Sequence, residues 1–488
     1  MRHSAACAAT LIALLTACAE RPHDARHVGA LPDIWPDYAG VTIPKGIAPL
    51  CFAMADDEVT AMEAKVTAPD GTATRANGAE ADFDVEEWRN VVSHCADGDS
   101  LTVSVSARYA DGWREFAPFA IYVSGDTLAS QGLTYRLIRP GYEVYSKMGL
   151  YWRDLTSFRE EAIIENTEVP NSCVNCHTQR RGPEADFLFH VRGKDGGTLL
   201  HRGGRTEILN TPTSKTIGAL TYPAWHPGGR VIAFSANTTR QSFHQVRDKR
   251  LEVFDVASDI VAYDTEANNL IITPLLNRTD SCWETFPCFS ADGGSLYFCA
   301  ARPAEMPTEV RGVRYALMRI GFDAEKMEWG ERVDTVLSLD SLSFSLPRTS
   351  PDGRFLMFTA CDYGTFPIWH KEADLWILDL ASGLAHPLTE VNSREAESFH
   401  EWSTDSRWVV FSSRRGDGLF TRLYMAHVGK DGRASKPFLL PQQTPKKRDR
   451  ELMMSYNVPG FADRRPELDT KSAARRLMDG ERKQVEAR

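Results

Sequence analysis

The most specific chemical feature of the chain is Cys173-Val174-Asn175-Cys176-His177. Two thiols three residues apart, followed at once by an imidazole, match the attachment site of c-type haem. The thiols add to the two vinyl groups, and the histidine is carried to the iron as proximal ligand. With ten cysteines and thirteen histidines in 488 residues, chance alone gives such a pentapeptide in roughly 0.005 chains. A zinc site needs two further ligands, and the nearest later cysteine pair, Cys282 and Cys288, has the wrong spacing for a knuckle. A thioredoxin-type pair belongs at the start of a helix in a βαβ unit, and no such pattern surrounds Cys173. A plain disulfide leaves His177 unexplained. One motif means one covalent haem, whose sixth iron position decides between electron transfer and small-molecule chemistry. His190, His226 and His400 are the distal-ligand candidates, with Met148 and Met306 as further options. Each of these histidines also has an ordinary reading as a hydrogen-bonded or exposed side chain.

The elements that must position this motif read as β throughout. In residues 34–130, Leu101, Val103, Val105, Ala107 and Tyr109 alternate with polar residues, Asp111-Gly112 supplies a turn, and 113–123 runs back as a partner strand. This predicts an immunoglobulin- or fibronectin-like sandwich. Cys51 and Cys95 both fall in it and are the candidate disulfide of an oxidising compartment. Residues 131–185 are a connecting segment that carries the motif and could form a degenerate blade. Residues 186–444 contain an internal repeat, aligned at 222–234, 286–298, 346–358 and 399–411, each a strand, a tight turn and an apolar strand. Four strands per repeat is one β-propeller blade. Residues 187–192, 198–201 and 206–209 supply a fifth blade, and 135–138 with 148–164 a degenerate sixth. The expected fold is therefore all-β: a sandwich, then a six-bladed propeller, with the haem motif in a loop between the first two blades. Residues 445–488 read as a charged C-terminal tail.

The innermost strand of a blade lines the channel, and near its start the repeat carries Pro223, Pro287, Pro347 and then His400. His226 stands where the other repeats have Ser290, Ser350 and Ser403. His226 and His400 are thus the candidate catalytic residues for proton transfer at the channel; the plain alternative is that they cap turns. The repeats, with 32–38 (Pro-Asp-Ile-Trp-Pro-Asp-Tyr), 41–44, 135–138 and Asn175-Cys176-His177, resemble a family of exported monohaem c-type cytochrome lipoproteins with TolB-like (WD40-like, PD40-repeat) β-propellers. The resemblance implies haem on Cys173 and Cys176 with His177 as iron ligand, and it carries no substrate. TolB-like partner-binding proteins lack haem, so the CVNCH segment departs from their pattern.

The address agrees. Arg2 and the apolar run 8–15 form an export leader too short to span a bilayer, and Leu15-Thr16-Ala17-Cys18 resembles a lipobox. Residues 1–17 are the expected signal peptide, Cys18 the acylated residue, and 18–33 a tether. The expected location is outside the cytoplasm, lipid-anchored to a cell-envelope membrane and facing the periplasm or the exterior. A composition of 42% hydrophobic and 25% charged residues excludes bulk disorder, and a net charge of −10 argues against nucleic acid as a partner. The expected function is electron transfer or redox-partner binding by a membrane-anchored monohaem cytochrome. The alternatives are a haem-dependent oxidoreductase acting on a small molecule at the channel, and a TolB-like envelope scaffold.

Overall fold

Period-two burial builds Ala61–Thr67 and Ser100–Tyr109, which turn Met62, Ala64, Val66, Leu101, Val103 and Val105 into one core. The computed structural model that contains them describes residue 22 and residues 24–487, apart from 141–146, 183, 247–248 and 279; the leader and Cys18 lie outside the described residues. The two strands belong to a seven-stranded sheet, in which Ser100–Tyr109 pairs with Phe119–Ser124 along its first half and Gly112–Phe116 along its second. Arg26–Val28, expected in the tether, adds a parallel strand to Gly112–Phe116.

This corrects the expected sandwich. The only other ladder in the region is the two-residue pair Ile34–Trp35 and Ala53–Met54, and the face of the large sheet is covered by a helix, Val85–Ser93. Asp84 caps that helix by accepting hydrogen bonds from the backbone N–H of Glu86 (2.9 Å) and Glu87 (3.0 Å). Trp88, Val91 and Val92, one helical stripe, enter the core. The expected Cys51–Cys95 pair is not joined: both are free, buried thiols. Cys51 lies against Asp82 (Sγ to Oδ1 3.5 Å), whereas Cys95, just past the helix, has Asp99, Lys45 and Asp70 for neighbours. Cys282, Cys288, Cys299 and Cys361 are also free.

The rest of the described chain forms six antiparallel four-stranded sheets, the second extended by the parallel strand Lys483–Gln484. In sheets 2 to 6 the edge strand comes first in the chain: Cys173–Gln179, Leu220–Trp225, Trp283–Phe289, Ser343–Thr349 and Glu397–Trp402. Sheet 1 is completed from the far end of the chain, where Ser455–Ala462 pairs with Gly132–Ile138. These six edge strands lie against one another in order, and Ser455–Ala462 touches both Glu397–Trp402 and Cys173–Gln179. The arrangement is β-propeller-like. Sheets 3 to 6 share one turn after the edge strand, with Gly229 N–H to His226 O, Gly293 to Ser290, Gly353 to Ser350 and Ser406 to Ser403, all 2.8–3.0 Å. The N-terminal domain docks on the last sheet, where Trp402, Trp408, Phe411 and Tyr424 join its core.

Two expectations change here. Cys173–Gln179 is an edge strand, not a loop between sheets. The expected tail supplies the strand Ser455–Ala462 and the helix Thr470–Met478, whose Ala473, Ala474 and Leu477 are buried under sheets 1 and 2.

Candidate functional site at the ring of edge strands

Every edge strand has a bulge at the same place, marked by a non-glycine residue of left-handed φ: Cys176 (+49°), Tyr222 (+46°), Phe286 (+53°), Leu346 (+55°), Phe399 (+47°) and Val458 (+51°). The residue before it is Asn, Thr or Ser in all six: Asn175, Thr221, Thr285, Ser345, Ser398 and Asn457. The residue after it is Pro223, Pro287, Pro347 and Pro459 in four sheets, and His177 and His400 in the other two. His177 of the haem motif and His400 are therefore the same position of the fold, two sheets apart with Pro459 between them. The triplet of a small polar residue, any residue, then Pro or His recurs at 175–177 and 457–459, and it was the available sequence signal for these two strands.

Both imidazoles are buried, His177 at 7% exposure and His400 at 2%. Among the described residues, no ring nitrogen of either makes a hydrogen bond of good geometry; the nearest acceptors are the backbones of Thr134 and Met357. Burial pushes His177 down to about 3, helped by the positive charge of Arg136, while a weak backbone hydrogen bond at Thr134 pulls the other way. Burial likewise lowers His400 to about 4, with Arg348 adding to the effect and the Met357 backbone and Glu401 opposing it.

The two histidines line one cavity of about 70 Å³, together with Pro223, Pro459 and Trp402. A second cavity of about 260 Å³ adjoins it, sharing Arg181, Arg348 and Glu401 in its wall and reaching His226 and Cys288. An ion cluster stands between them. Arg181 Nη2 donates to Glu401 Oε1 at 2.5 Å and to the Thr349 carbonyl at 3.2 Å, and Arg348 Nε lies 3.3 Å from Glu401 Oε2. Burial works against the Glu401 charge, but the two guanidiniums win and hold its carboxyl below the usual range.

In a regular strand, side chains three apart point to opposite faces. The bulge at Cys176 breaks that alternation, and both thiols come under Arg192: its Nη2 lies 3.7 Å from Cys176 Sγ, and its charge also acts on Cys173. Burial raises the Cys173 thiol, Arg136 and Arg192 oppose the rise, and Cys176 adds to it, so the thiols are neighbours. Both are free and partly buried.

The other candidates fall elsewhere. His226 accepts a hydrogen bond from Gly228 N–H at 3.0 Å and meets Phe289 edge-on at 4.9 Å, so it caps its turn, though it also walls the larger cavity. His190 shares a proton with Thr198 Oγ1 at 2.8 Å on the neighbouring strand and lines a different groove. Met148 begins the strand Met148–Asp154, and Met306 packs against the Trp283 cluster.

The donor types are those that hold a covalent haem: two neighbouring free thiols, a buried imidazole, and the cations Arg136 and Arg192 beside the thiols for the carboxylates of such a group; neither thiol lines the cavity that His177 faces. The room beside His177 is divided by the Arg181–Glu401 pair, so seating a planar ring there requires that pair to swing aside.

No protein-family model matches the chain, and no curated protein is a recognisable relative. Among solved structures, an oligogalacturonate lyase from Vibrio parahaemolyticus is similar over 59% of this chain and 85% of its own, at 12% identity and a TM-score of 0.32. A variant of the Synechocystis apocarotenoid oxygenase is similar over 88% of this chain and 97% of its own (9% identity, TM-score 0.36). A puromycin-hydrolysing peptidase of Mycobacterium tuberculosis covers 71% of this chain, which spans about half of that peptidase (52%; 12% identity, TM-score 0.35). Likeness at this level assigns no activity.

Proposed function

We propose that the chain is an exported, lipid-anchored monohaem c-type cytochrome that passes electrons, with the β-propeller-like body as a rigid frame for the cofactor and for a redox partner. The observation that carries this is the coincidence of the CVNCH pentapeptide with a buried histidine that makes no side-chain hydrogen bond. Cys173 and Cys176 would hold the haem through thioether bonds and His177 would ligate its iron. The bound group supplies a one-electron couple whose potential is set by axial ligands, burial and nearby charge. The chain's own residues do the rest: the bulge at Cys176 aims His177 into the ring, sheet pairing holds it there, and Arg136 and Arg192 offset negative charge beside the thiols. Cys18, acylated, would keep this body at a membrane surface.

The test is the absorbance of the exported, denatured protein in alkaline pyridine. The parent is expected to carry haem that stays with the chain through denaturation, and Cys173→Ala/Cys176→Ala to lose it. Retention of the same absorbance by the double variant, or none in the parent, overturns the proposal.

A second reading is favoured by the larger cavity, where Arg181 and Arg348 face about 260 Å³ beside His226. There the same haem would act on a small molecule, with His226 or His400 moving protons. The two readings differ in whether the sixth iron position is closed.

A further inference from the structure

The larger cavity carries charge that the fold itself leaves unmatched. Five of the six sheets meet in its wall: Arg181 just follows the edge strand of sheet 2, Trp225 and Phe289 end those of sheets 3 and 4, and Arg348 and Glu401 lie on those of sheets 5 and 6. The cavity is thus a bowl at one end of the edge strands. Among the described residues, its charged side chains are Arg180, Arg181, Arg348 and Glu401. Arg180 is matched by Asp186 (3.4 Å) and Glu184 (3.7 Å), which lie outside the wall. Burial lowers the pKa of His226, so its ring adds no charge at pH 7. Two guanidiniums therefore share the one carboxylate of Glu401, an excess of one positive charge in a chain whose net charge is −10.

Their donors are not used up either. A guanidinium carries five N–H groups. Arg181 spends Nη2 on Glu401 and the Thr349 carbonyl, while Arg348 turns Nε to Glu401 and Nη1 to the Pro347 carbonyl (2.8 Å). Among the described residues, Nε and Nη1 of Arg181 and Nη2 of Arg348 have no partner, and none of the three is sealed from water. The same wall carries Pro223, Trp225, Phe289 and Pro351, apolar surface for the body of a ligand.

We propose that this bowl binds a small organic carboxylate, with its carboxyl group held by Arg181 and Arg348 and its apolar body against Trp225 and Phe289. Glu401 already shows the pairing, since each of its oxygens faces a different guanidinium, and a ligand carboxylate repeats it on the donors left over. A volume of about 260 Å³ equals that of about nine waters, room for a molecule the size of phenylacetate. Among the described residues no helix N-terminus reaches the wall, so a phosphate lacks its usual cradle. The inference needs no cofactor and stands apart from the haem reading.

The experiment is titration calorimetry of the full-length protein in detergent, at pH 7 and low salt. The probes are phenylacetate, benzoate and succinate, with phenylacetamide as an uncharged molecule of the same shape and inorganic phosphate as a second anion. Phenylacetate is expected to bind, and phenylacetamide to bind about tenfold more weakly or worse, the loss of one charge-assisted pairing. Arg348→Gln is expected to weaken phenylacetate binding by a similar factor, and Arg348→Lys, which keeps the charge but not the fork, to fall between. Glu401→Gln removes the competing carboxylate and is expected to strengthen binding. Cys173→Ala/Cys176→Ala is expected to bind as the parent does. Equal affinity for acid and amide, or an affinity that both Arg348 variants leave unchanged, overturns the inference. So does phosphate binding more tightly than every carboxylate, or no binding of any carboxylate at about 10 mM.

Discussion

Replacing His400 by proline separates an imidazole kept for a ligand from one kept for the fold. Proline already fills this position in four sheets, so the backbone accepts it after a left-handed residue. In protein without a covalent cofactor, His400 is 2% exposed and both ring nitrogens are unsatisfied. An unsatisfied buried polar group costs about 1–3 kcal/mol. Proline removes that cost and restricts the unfolded chain, worth a further 0.4–1 kcal/mol or so. Against this stands the loss of part of one ring's contacts, about 1 kcal/mol because the side chain borders a cavity rather than a closed wall. The net expectation is that His400→Pro is more stable by about 0.4–3 kcal/mol. The assay is urea unfolding at pH 7, followed by tryptophan fluorescence on a Cys173→Ala/Cys176→Ala background, and the expected result is a higher midpoint at unchanged slope. Thermal melting discriminates less well: at about 2 cal/mol/K per residue, 1 kcal/mol moves Tm by only about 1 °C in a chain of this length. A loss of about 1 kcal/mol or more would refute the reasoning, because it would mean that the imidazole is bonded into the fold.

Three further outcomes are expected. Glu284, fully buried beside Arg278, is pushed by burial up to about 7 from 4.5. The folded carboxyl therefore ionises later than the unfolded one, and the protein loses up to about 3 kcal/mol as pH rises from 4.5 to 7; Glu284→Gln should flatten that slope in pH-dependent urea unfolding, and parallel curves would count against the assignment. Arg181→Met and Glu401→Gln, combined in a double-mutant cycle, should show a coupling of about 1–2 kcal/mol, more than an exposed pair gives because Glu401 is largely buried between two guanidiniums. Asp84→Ala should cost about 1 kcal/mol through loss of the helix cap, measured by urea unfolding; no effect would argue that 85–93 is held by packing alone.

The repeats at 222–234, 286–298, 346–358 and 399–411 were legible because their turns need particular residues. Ser290 and Ser350 each bond an Asp two residues on (2.5 and 2.6 Å) and then cap the next strand, a local geometry that leaves a local signature. Among the described residues, sheets 1 and 2 do not show that turn after the edge strand. Ser455–Ala462 completes its sheet from more than 300 residues away in sequence, a pairing that no local pattern encodes. Alternation in 61–67 and 100–109 announced one buried face but not what covers it. The cap Asp84 and the stripe Trp88, Val91 and Val92 were readable as a helix, and they decide against a second sheet. Within the site, the haem pentapeptide was plain from spacing alone, and the special place of His400 came from its exchange with proline. What the sequence did not reveal is that His177 occupies that same place.

That equivalence bears on how such a site arises in this fold. The bulge holds the chain in a strained left-handed conformation at six matched points, at a cost of about 1–3 kcal/mol each that the surrounding sheets must hold. Whatever residue follows is delivered against the ring. Proline there is inert: it has no side-chain donor and no N–H to satisfy. Histidine is the opposite choice, since it brings two nitrogens into a place from which water is largely excluded and where the fold offers them at most a weak backbone partner. Breaking a local rule twice, at equivalent positions on one cavity, is the pattern expected of residues retained for a ligand. The free thiols at Cys173 and Cys176 lie on only one of the two strands, so the two histidine positions are not equivalent.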